Sequence, residues 1–500
     1  MEMLFEIAYN IPFVCIMLTM ASGIISNVLN GKSAYKLNLF ITGLCFILSI
    51  ILLFTMMVEP QDLTFMMGHF PAPWGNEIRF GPVEALLATC FTLVVMLTMI
   101  GERENIINKI YAGKINILYL MINMLLSSTY ALIYTNDLFT AYVFIEINTL
   151  VSVGLVAVKN TRKSIVAAIK YLIMSLLGSG LFLISISLLY VLTGHLLMVD
   201  VGEQIKVIMQ TKDYLFPLTI IMGLMSVGIA IKSGLFPFNN WMPLSYNRAL
   251  NFSNALSSGI VVKSYIILLI KIFYRVIGLD ILLQLDILNI LLIFGLLGMI
   301  IGSLHAIKVN NLKLMLSYSS IAQIGYIYTA IGLGTPLSFS AAIYLILSHS
   351  FAKAMLMISC EGLMRASNNN KYIGKLKGSA WNNPLAGLAF TIGALTLVGT
   401  PMLSGFFGKY LLAMSSIDHG IYTPIVLGGL LISTLLNAMY FLRVVMAIYS
   451  KRTKDDEHYD PIMITKSYKV AMILFIIVNI GFSLLYPYFI EIIQQGLLVL

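Results

Sequence analysis

The chain alternates between apolar runs of about 20 residues and short polar stretches that hold most of its charge. As a helix, a run of that length crosses a hydrocarbon core of about 30 Å. Fourteen such runs follow one another, near residues 7–28, 37–58, 83–101, 115–134, 137–158, 166–193, 215–236, 249–275, 284–306, 314–334, 338–360, 384–414, 421–449 and 468–491. Lipid offers the backbone no hydrogen bonds, so each run is predicted to be an α-helix, and the fold class is an all-α integral membrane protein. Runs seven, eight and twelve are overlong or interrupted by Gly and Pro, and are expected to be broken helices. Such breaks are tolerated only where neighbouring helices or water satisfy the freed backbone groups. Between the runs, residues 63–80 read as a hairpin with Pro71, Pro73 and Gly75, and residues 198–213 as a short amphipathic helix in the interface. The stretch KRTKDDEHYD at 451–460 reads as a solvated loop with the potential to dock a partner.

Composition agrees with this pattern. Hydrophobic residues make up 59% of the chain and charged residues only 11%, against about 25% in soluble proteins. There is too little polar surface to face water. The net charge of +9 is spread over loops and forms no basic stripe, which excludes nucleic-acid binding along with soluble and disordered classes. Cys15, Cys45, Cys90 and Cys360 have no metal-ligand or disulfide spacing and read as small apolar residues. No cofactor or metal is expected. Glu2 and Glu6 precede the first run without a basic flank, so no cleaved signal peptide is expected. Of the 31 basic residues, 22 follow odd-numbered runs, while only Arg79, Lys206, Lys212, Lys271 and Arg275 lie on the other side. Cytoplasmic loops carry the excess of Lys and Arg, so both termini are expected on the outer side of a plasma (inner) membrane.

Four basic residues fall inside apolar runs: Lys232, Lys263, Lys353 and Lys409. A charge at the bilayer centre costs roughly 2.5–17 kcal/mol depending on the reference state. The one mid-run carboxylate is Glu146, and one acid cannot pair four bases. The surplus lysines are expected to exchange protons, because desolvation penalises the charged form. A proton relay needs that property. Lys232 stands before the break in IKSGLFPFNNWMP, and Lys409 ends the similar GTPMLSGFFGK. The shared SG-x-F core, Ser233–Phe236 and Ser404–Phe407, recurs five runs apart, so the copies are expected in opposite orientations across the membrane. Inverted repeats with broken helices mark ion sites near the midplane of transporters.

These motifs, with NALSSGIVVKSY, HAIKVNNLKLMLSYSSIAQIGY and HSFAKAML between them, resemble in order and spacing the antiporter-like subunits of Mrp-type sodium/proton antiporters, energy-converting membrane-bound hydrogenases and respiratory complex I. The resemblance covers roughly residues 110–450. NALSSGIVVK is more similar to the D-type member of the Mrp antiporters and to the hydrogenase members than to the long complex I subunits, which usually have His where this chain has Ser257. The absence of a long lateral helix after run fourteen points the same way.

The resemblance implies roles for six residues. Glu146 is the carboxylate of the fifth span and Lys232 its ion-pair partner on the broken seventh. Lys263 is the central lysine of the eighth span, His349 the relay histidine of the eleventh, and Lys409 the terminal lysine of the broken twelfth. Lys353, one turn after His349, extends the line. His305 is a possible second relay group. The chain departs from the family at Asn239, where a His is common, and at Asn247, Leu250 and Phe252, where prolines usually stand. An amide does not exchange protons as imidazole does, so the cytoplasmic entrance is expected to differ.

The expected organisation is a three-span segment at 1–110, inverted five-span repeats at 111–280 and 281–450, and a loop with a last span at 451–500. The expected function is proton translocation by one subunit of a multisubunit membrane complex, exchanging protons for sodium or for a second proton stream. Its partners are further membrane subunits, including other antiporter-like ones, and any redox centre belongs to them. A stand-alone solute transporter and a membrane anchor for a peripheral enzyme are the alternatives. The first would need a pocket in place of a line of titratable groups, and the second would not need deep lysines.

Overall fold

The computed structural model describes residues 2–70, 75–211, 214–417, 420–451 and 464–500, so the expected docking loop at 451–460 lies almost wholly outside the described residues. The first part of the chain forms α1 (Glu2–Val28), α2 (Gly31–Val58), β1 (Leu63–Met66), β2 (Glu77–Phe80), α3 (Pro82–Lys109), α4 (Ile115–Tyr134), α5 (Leu138–Ala157) and α6 (Arg162–Thr193). There follow α7 (Met198–Ile208), α8 (Leu215–Ser233), α9 (Trp241–Arg248), α10 (Asn251–Leu256), a π-helical stretch (Ser257–Val261), α11 (Val262–Lys271), a second π stretch (Ile272–Ile277) and α12 (Leu279–Leu282). The remainder is α13 (Ile287–Lys308), α14 (Leu312–Leu333), α15 (Pro336–Arg365), α16 (Ser379–Asn382), α17 (Pro384–Val398), α18 (Ser404–Ser415), α19 (Tyr422–Tyr449), α20 (Lys466–Leu484) and α21 (Tyr486–Val499).

Eleven of the described helices are long and apolar enough to cross a membrane. The other three apolar runs have visible reasons to fall short. Run eight, expected to be broken, instead keeps right-handed helical angles from α10 through the π stretch into α11, because a π turn absorbs an extra residue without ending the helix, whereas run twelve is broken between α17 and α18. Run ten, α14, has the length but carries Lys313, Gln323 and a series of serines. Residues 63–80 hold an antiparallel β1–β2 pair in the register Leu63↔Phe80 to Met66↔Glu77.

Polar side chains mark the helix starts. Asp137 accepts from the Thr140 amide at 2.6 Å, Thr161 and Ser164 form a reciprocal cap on α6, and Thr335 and Ser338 do the same on α15. Four described helices end on glycines in the left-handed region, and two of these stand at the expected breaks, Gly234 (φ 72°) after α8 and Gly399 (φ 86°) after α17. The sequence pairs these breaks through SG-x-F, but the copies are not equivalent in the structure. Ser233-Gly234 terminates α8, whereas Ser404-Gly405 begins α18 with Gly405 pressed against the Thr396 carbonyl. Ser-Gly suits both places, because glycine serves a left-handed cap and a close backbone approach equally well. The local counterparts are the cap glycines 234 and 399, each followed within three residues by a proline, Pro237 or Pro401.

α15 lies at the centre, its apolar span fully covered by α3, α10, α14, α17, α18, α20 and α21. α13 and α14 make the closest pair. Gly295, Gly302 and Gly325 have no room for a side chain: a Cβ on Gly325 would stand 2.4 Å from the Met299 amide nitrogen. Lipid gives no hydrophobic drive for helices to associate, so small residues that let backbones touch supply the packing. Gly325→Val is expected to lower the melting temperature of the detergent-solubilised protein, by overpacking worth about 1–3 kcal/mol or more. Gly43→Ala, which meets nothing within 4 Å, should leave it unchanged in the same melt.

Candidate functional site

Lys232 ends α8 just before the Gly234 break and is 1% exposed. Its Nζ donates to Thr149 Oγ1 at 2.7 Å and stands 5.5 Å from the centre of the Tyr265 ring. Tyr265 Oη donates to Asn148 Oδ1 at 3.0 Å, and Asn148 Nδ2 reaches Ser128 Oγ at 3.0 Å. The ammonium therefore sits in a hydroxyl and amide network drawn from α4, α5, α8 and α11. Glu146 lies one turn before Thr149 on α5 and acts electrostatically on Lys232. The two do not form an ion pair in this structure, and the half-buried Glu146 has Oε1 covered without a hydrogen-bond partner. Run-by-run reading of the sequence does not single out Thr149, Asn148 or Tyr265. Their signal is position, within one helical turn of Glu146 or two residues from Lys263.

Lys263 and His349 occupy the middle of the bundle, 0% and 2% exposed. The Lys263 Nζ and both His349 ring nitrogens have no hydrogen-bond partner among the described residues. The π stretch before Lys263 packs on α3 and α15, with a Cβ on Gly259 only 3.4 Å from Val94 and 3.6 Å from the Ser350 carbonyl. Lys353 follows His349 by one turn on α15, about 6 Å along the axis. The charged groups that act on His349 are Lys263 and Lys353. Lys353 Nζ donates to the Leu316 carbonyl at 2.5 Å and to Ser319 Oγ. His305 lies apart from these groups, stacked on Tyr318 at 5.2 Å.

Lys409 on α18 folds back across the break. Its Nζ donates to the Val398 carbonyl at 2.8 Å and to Thr434 Oγ1 at 3.2 Å, and lies 4.7 Å from the centre of the Tyr326 ring. Gly399 is required here twice, for its positive φ and because a Cβ would meet Lys409 Cδ at 2.9 Å. Tyr326, Asn437 and Tyr440 connect this end to Lys353. Tyr440 Oη donates to Asn437 Oδ1 at 2.8 Å, Asn437 Nδ2 donates to Tyr326 Oη at 3.2 Å, and the Ser319 hydroxyl, which accepts from Lys353, acts on Tyr440. An amide in the middle interrupts hydroxyl-to-hydroxyl transfer, so this network positions the two lysines and is not a continuous wire.

The inventory of buried charge differs from the sequence expectation in three respects. Lys271, counted on the outer side, is 2% exposed and donates to the Ile133 and Thr135 carbonyls at 2.5 and 2.8 Å. Lys313, counted with the loops, is 6% exposed and donates to the Ala249 carbonyl at 2.8 Å. Like Lys409, both lie at the carbonyl end of a helix, α4 and α9 respectively, where the backbone dipole favours a cation. Glu146 is also not the sole interior acid. Glu84 pairs with Arg275 at 2.9 Å, Glu361 with Lys109, and Glu102 is buried beside Asn105. Charge near a run's end cannot be assigned to water or interior by counting alone. Asn239, where the resemblance leads one to expect a His, is 7% exposed just past the α8 break.

Known proteins share both the sequence pattern and the fold. The N subunit of NADH-quinone oxidoreductase from Desulforudis audaxviator is 29% identical over 397 residues, covering 79% of this chain and 77% of its own. The D subunit of the Na(+)/H(+) antiporter from Alkalihalophilus pseudofirmus is 29% identical over 357 residues, 70% and 69% of the two chains. Among solved structures, the fold superposes on chains of an archaeal membrane-bound sulfane sulfur reductase (TM-score 0.85, 22% identity, 98% and 97% covered) and of the Mrp complex from Dietzia sp. (0.86, 18%, 98% and 97%). A chain of respiratory complex I from Thermus thermophilus superposes at 0.72 with 20% identity, over 97% and 98%. The family described as NADH:quinone oxidoreductase/Mrp antiporter, TM, matches residues 135–437, and with well over half its length matched this chain belongs to that family.

Proposed function

We propose that the chain is a proton-translocating, antiporter-like subunit of a multisubunit membrane complex, and that Glu146, Lys232, Lys263, His349, Lys353 and Lys409 form its relay. One observation carries this reading: Lys263 and His349 are buried in the bundle centre with no hydrogen-bond partner among the described residues, and Lys263 and Lys353 both act on the imidazole. A buried titratable group without a partner calls for an explanation, and proton exchange is one. Lysine and imidazole are groups that take up and release protons when their surroundings change. In the proposed cycle Lys232 alternates between Glu146, which holds it charged, and Thr149, which offers only a hydroxyl. The arrangement described above is then the open state, in which the proton leaves toward Lys263 and onward through His349 and Lys353 to Lys409. Steps longer than a hydrogen bond pass through water.

In this reading the eleven long helices, together with α10–α11, α14 and α17–α18, make fourteen spans. Spans four to eight and nine to thirteen are inverted repeats, and both termini lie outside. The exchange partner is sodium or a second proton stream, with further antiporter-like subunits alongside in the plasma (inner) membrane. The alternation of basic and sparsely charged loops supports the orientation.

Transport of protons in proteoliposomes containing the whole complex is the measurement that checks the relay. Lys263→Ala is expected to reduce it roughly 10²-fold or more while insertion and assembly are unchanged, since the variant removes a carrier and a desolvation cost together. Full transport with alanine at that place refutes the relay.

Arginine at 232 separates a carrier from a fixed charge. Lys232→Arg can still pair with Glu146 but cannot release its proton, so transport should fall as far as in an alanine variant. Glu146→Gln should slow transport less. Normal rates in Lys232→Arg would mean that the site holds a static charge.

Cysteine labelling tests the topology. A cysteine replacing exposed Arg162 should react with an impermeant reagent only from the cytoplasmic side, and one replacing exposed Asn76 only from outside. The reverse pattern shifts the span count by one.

A further inference from the structure

A cavity of about 680 Å³ opens at the end of the bundle where α3, α5, α9 and α15 finish and α6 and α14 begin. Six cations from separate segments line it: Lys109, Lys159, Lys163, Arg248, Lys313 and Lys371. Among the described residues one lining carboxylate stands against them, Glu361, already engaged by Lys109 and by Asn251 Nδ2 at 2.9 Å. Lys313 is held by a carbonyl and Lys371 by the Asn247 amide oxygen at 3.4 Å, neither of which carries charge. Among the described residues, Lys159, Lys163, Arg248 and Lys371 have no ion-pair partner.

The crowding has an energetic signature. Burial pushes Lys371 below the ordinary lysine range, and Arg248, Lys159 and Lys163 push the same way. Lys159 is lowered by burial and by Lys109 and Arg248, with Glu361 opposing. A general excess of loop lysines accounts for the presence of these charges but not for their convergence on one cavity, because lysines free to spread into water would do so. Thr161, the N-cap of the 32-residue α6, also lines the cavity and adds the positive end of that helix.

We propose that this cavity is a binding site for a phosphate-bearing anion, with Arg248, Lys159, Lys163 and Lys371 as its charged rim and Lys313 and the Lys109–Glu361 pair as its floor. The volume lies within the roughly 300–1,000 Å³ of small-molecule sites and exceeds what a bare ion needs. Arg248 supplies the planar fork that matches phosphate oxygens, and the lysines supply point charges. The phosphate can come from the headgroup of an anionic phospholipid or from free phosphate in the aqueous phase. Basic pockets between helices at the cytoplasmic surface favour the former chemistry. The site is independent of the proton relay and uses none of its residues.

The full chain in phosphatidylcholine nanodiscs, melted at fixed ionic strength, separates the outcomes. One arm titrates inorganic phosphate, and the other raises the fraction of phosphatidylglycerol in the disc. The native protein is expected to gain melting temperature in at least one arm, and the responding arm identifies the source. The double variant Arg248→Gln, Lys371→Gln should need roughly 10- to 30-fold more of the stabilising anion, the effect of two lost charges near a membrane surface. Lys32→Gln with Lys36→Gln, at the start of α2 and away from the cavity, should respond like the native chain. If the first pair fails to fold, Lys159→Gln with Lys163→Gln reports on the same rim. Equal responses of native, cavity and control variants, or no response in either arm, overturn the proposal.

Discussion

The structure depends on how buried ammonium groups are satisfied where carboxylates are few. Lys232, Lys263, Lys271, Lys313, Lys353 and Lys409 are all at least nine-tenths covered, and none makes an ion pair among the described residues. An isolated charge in such surroundings is expensive, and the chain meets the cost in graded ways. Lys271, Lys313 and Lys409 borrow carbonyls at helix ends. Lys353 takes a carbonyl and a serine, Lys232 a single threonine hydroxyl, and Lys263 no partner among the described residues. In the proposed relay, that gradation separates lysines whose geometry is fixed by structure from those free to change state.

The broken helices follow from the same constraint. A continuous helix consumes all its carbonyls internally and has none to offer a cation. Ending α17 at Gly399 releases the Val398 carbonyl, and Lys409 reaches back from the next helix to use it. The eighth run stays helical from α10 through the π stretch into α11, and the added residue of the π turn rotates Lys263 relative to a regular helix. α15 runs unbroken for 30 residues and carries His349, Lys353 and Glu361 through the centre.

Charge at the two ends of the bundle is handled differently. At one end Asp62, Arg79, Glu84 and Arg275 close into an ion-pair cluster that ties the β-hairpin to α3, with Arg275 also donating to the Leu500 carbonyl at 3.0 Å. At the other, cations gather round an open cavity with one carboxylate among the described residues between them. A balanced cluster fixes structure, whereas an unbalanced one attracts an anion. Family membership accounts for the fold and is consistent with the relay; the cavity stands on its own charge balance.

The helical membrane class, the helix ends at Gly234 and Gly399 and the interior places of Lys232, Lys263, Lys353 and Lys409 are all legible in the linear order of residues, whereas the break expected in the eighth run is a π turn in a continuous helix. Each of these depends on runs of chain neighbours, and the cost of polar groups in lipid makes such runs unambiguous. Which partner each charge meets is settled in three dimensions. Residues far apart in sequence, such as Lys109 and Glu361 or Lys271 and the Ile133 carbonyl, come together by packing that no local pattern encodes. The same limit explains Lys271 and Lys313, which stand near run ends where either water or interior is possible. It explains SG-x-F too, since one dipeptide serves to end a helix or to begin one, and only its neighbours in space choose between them.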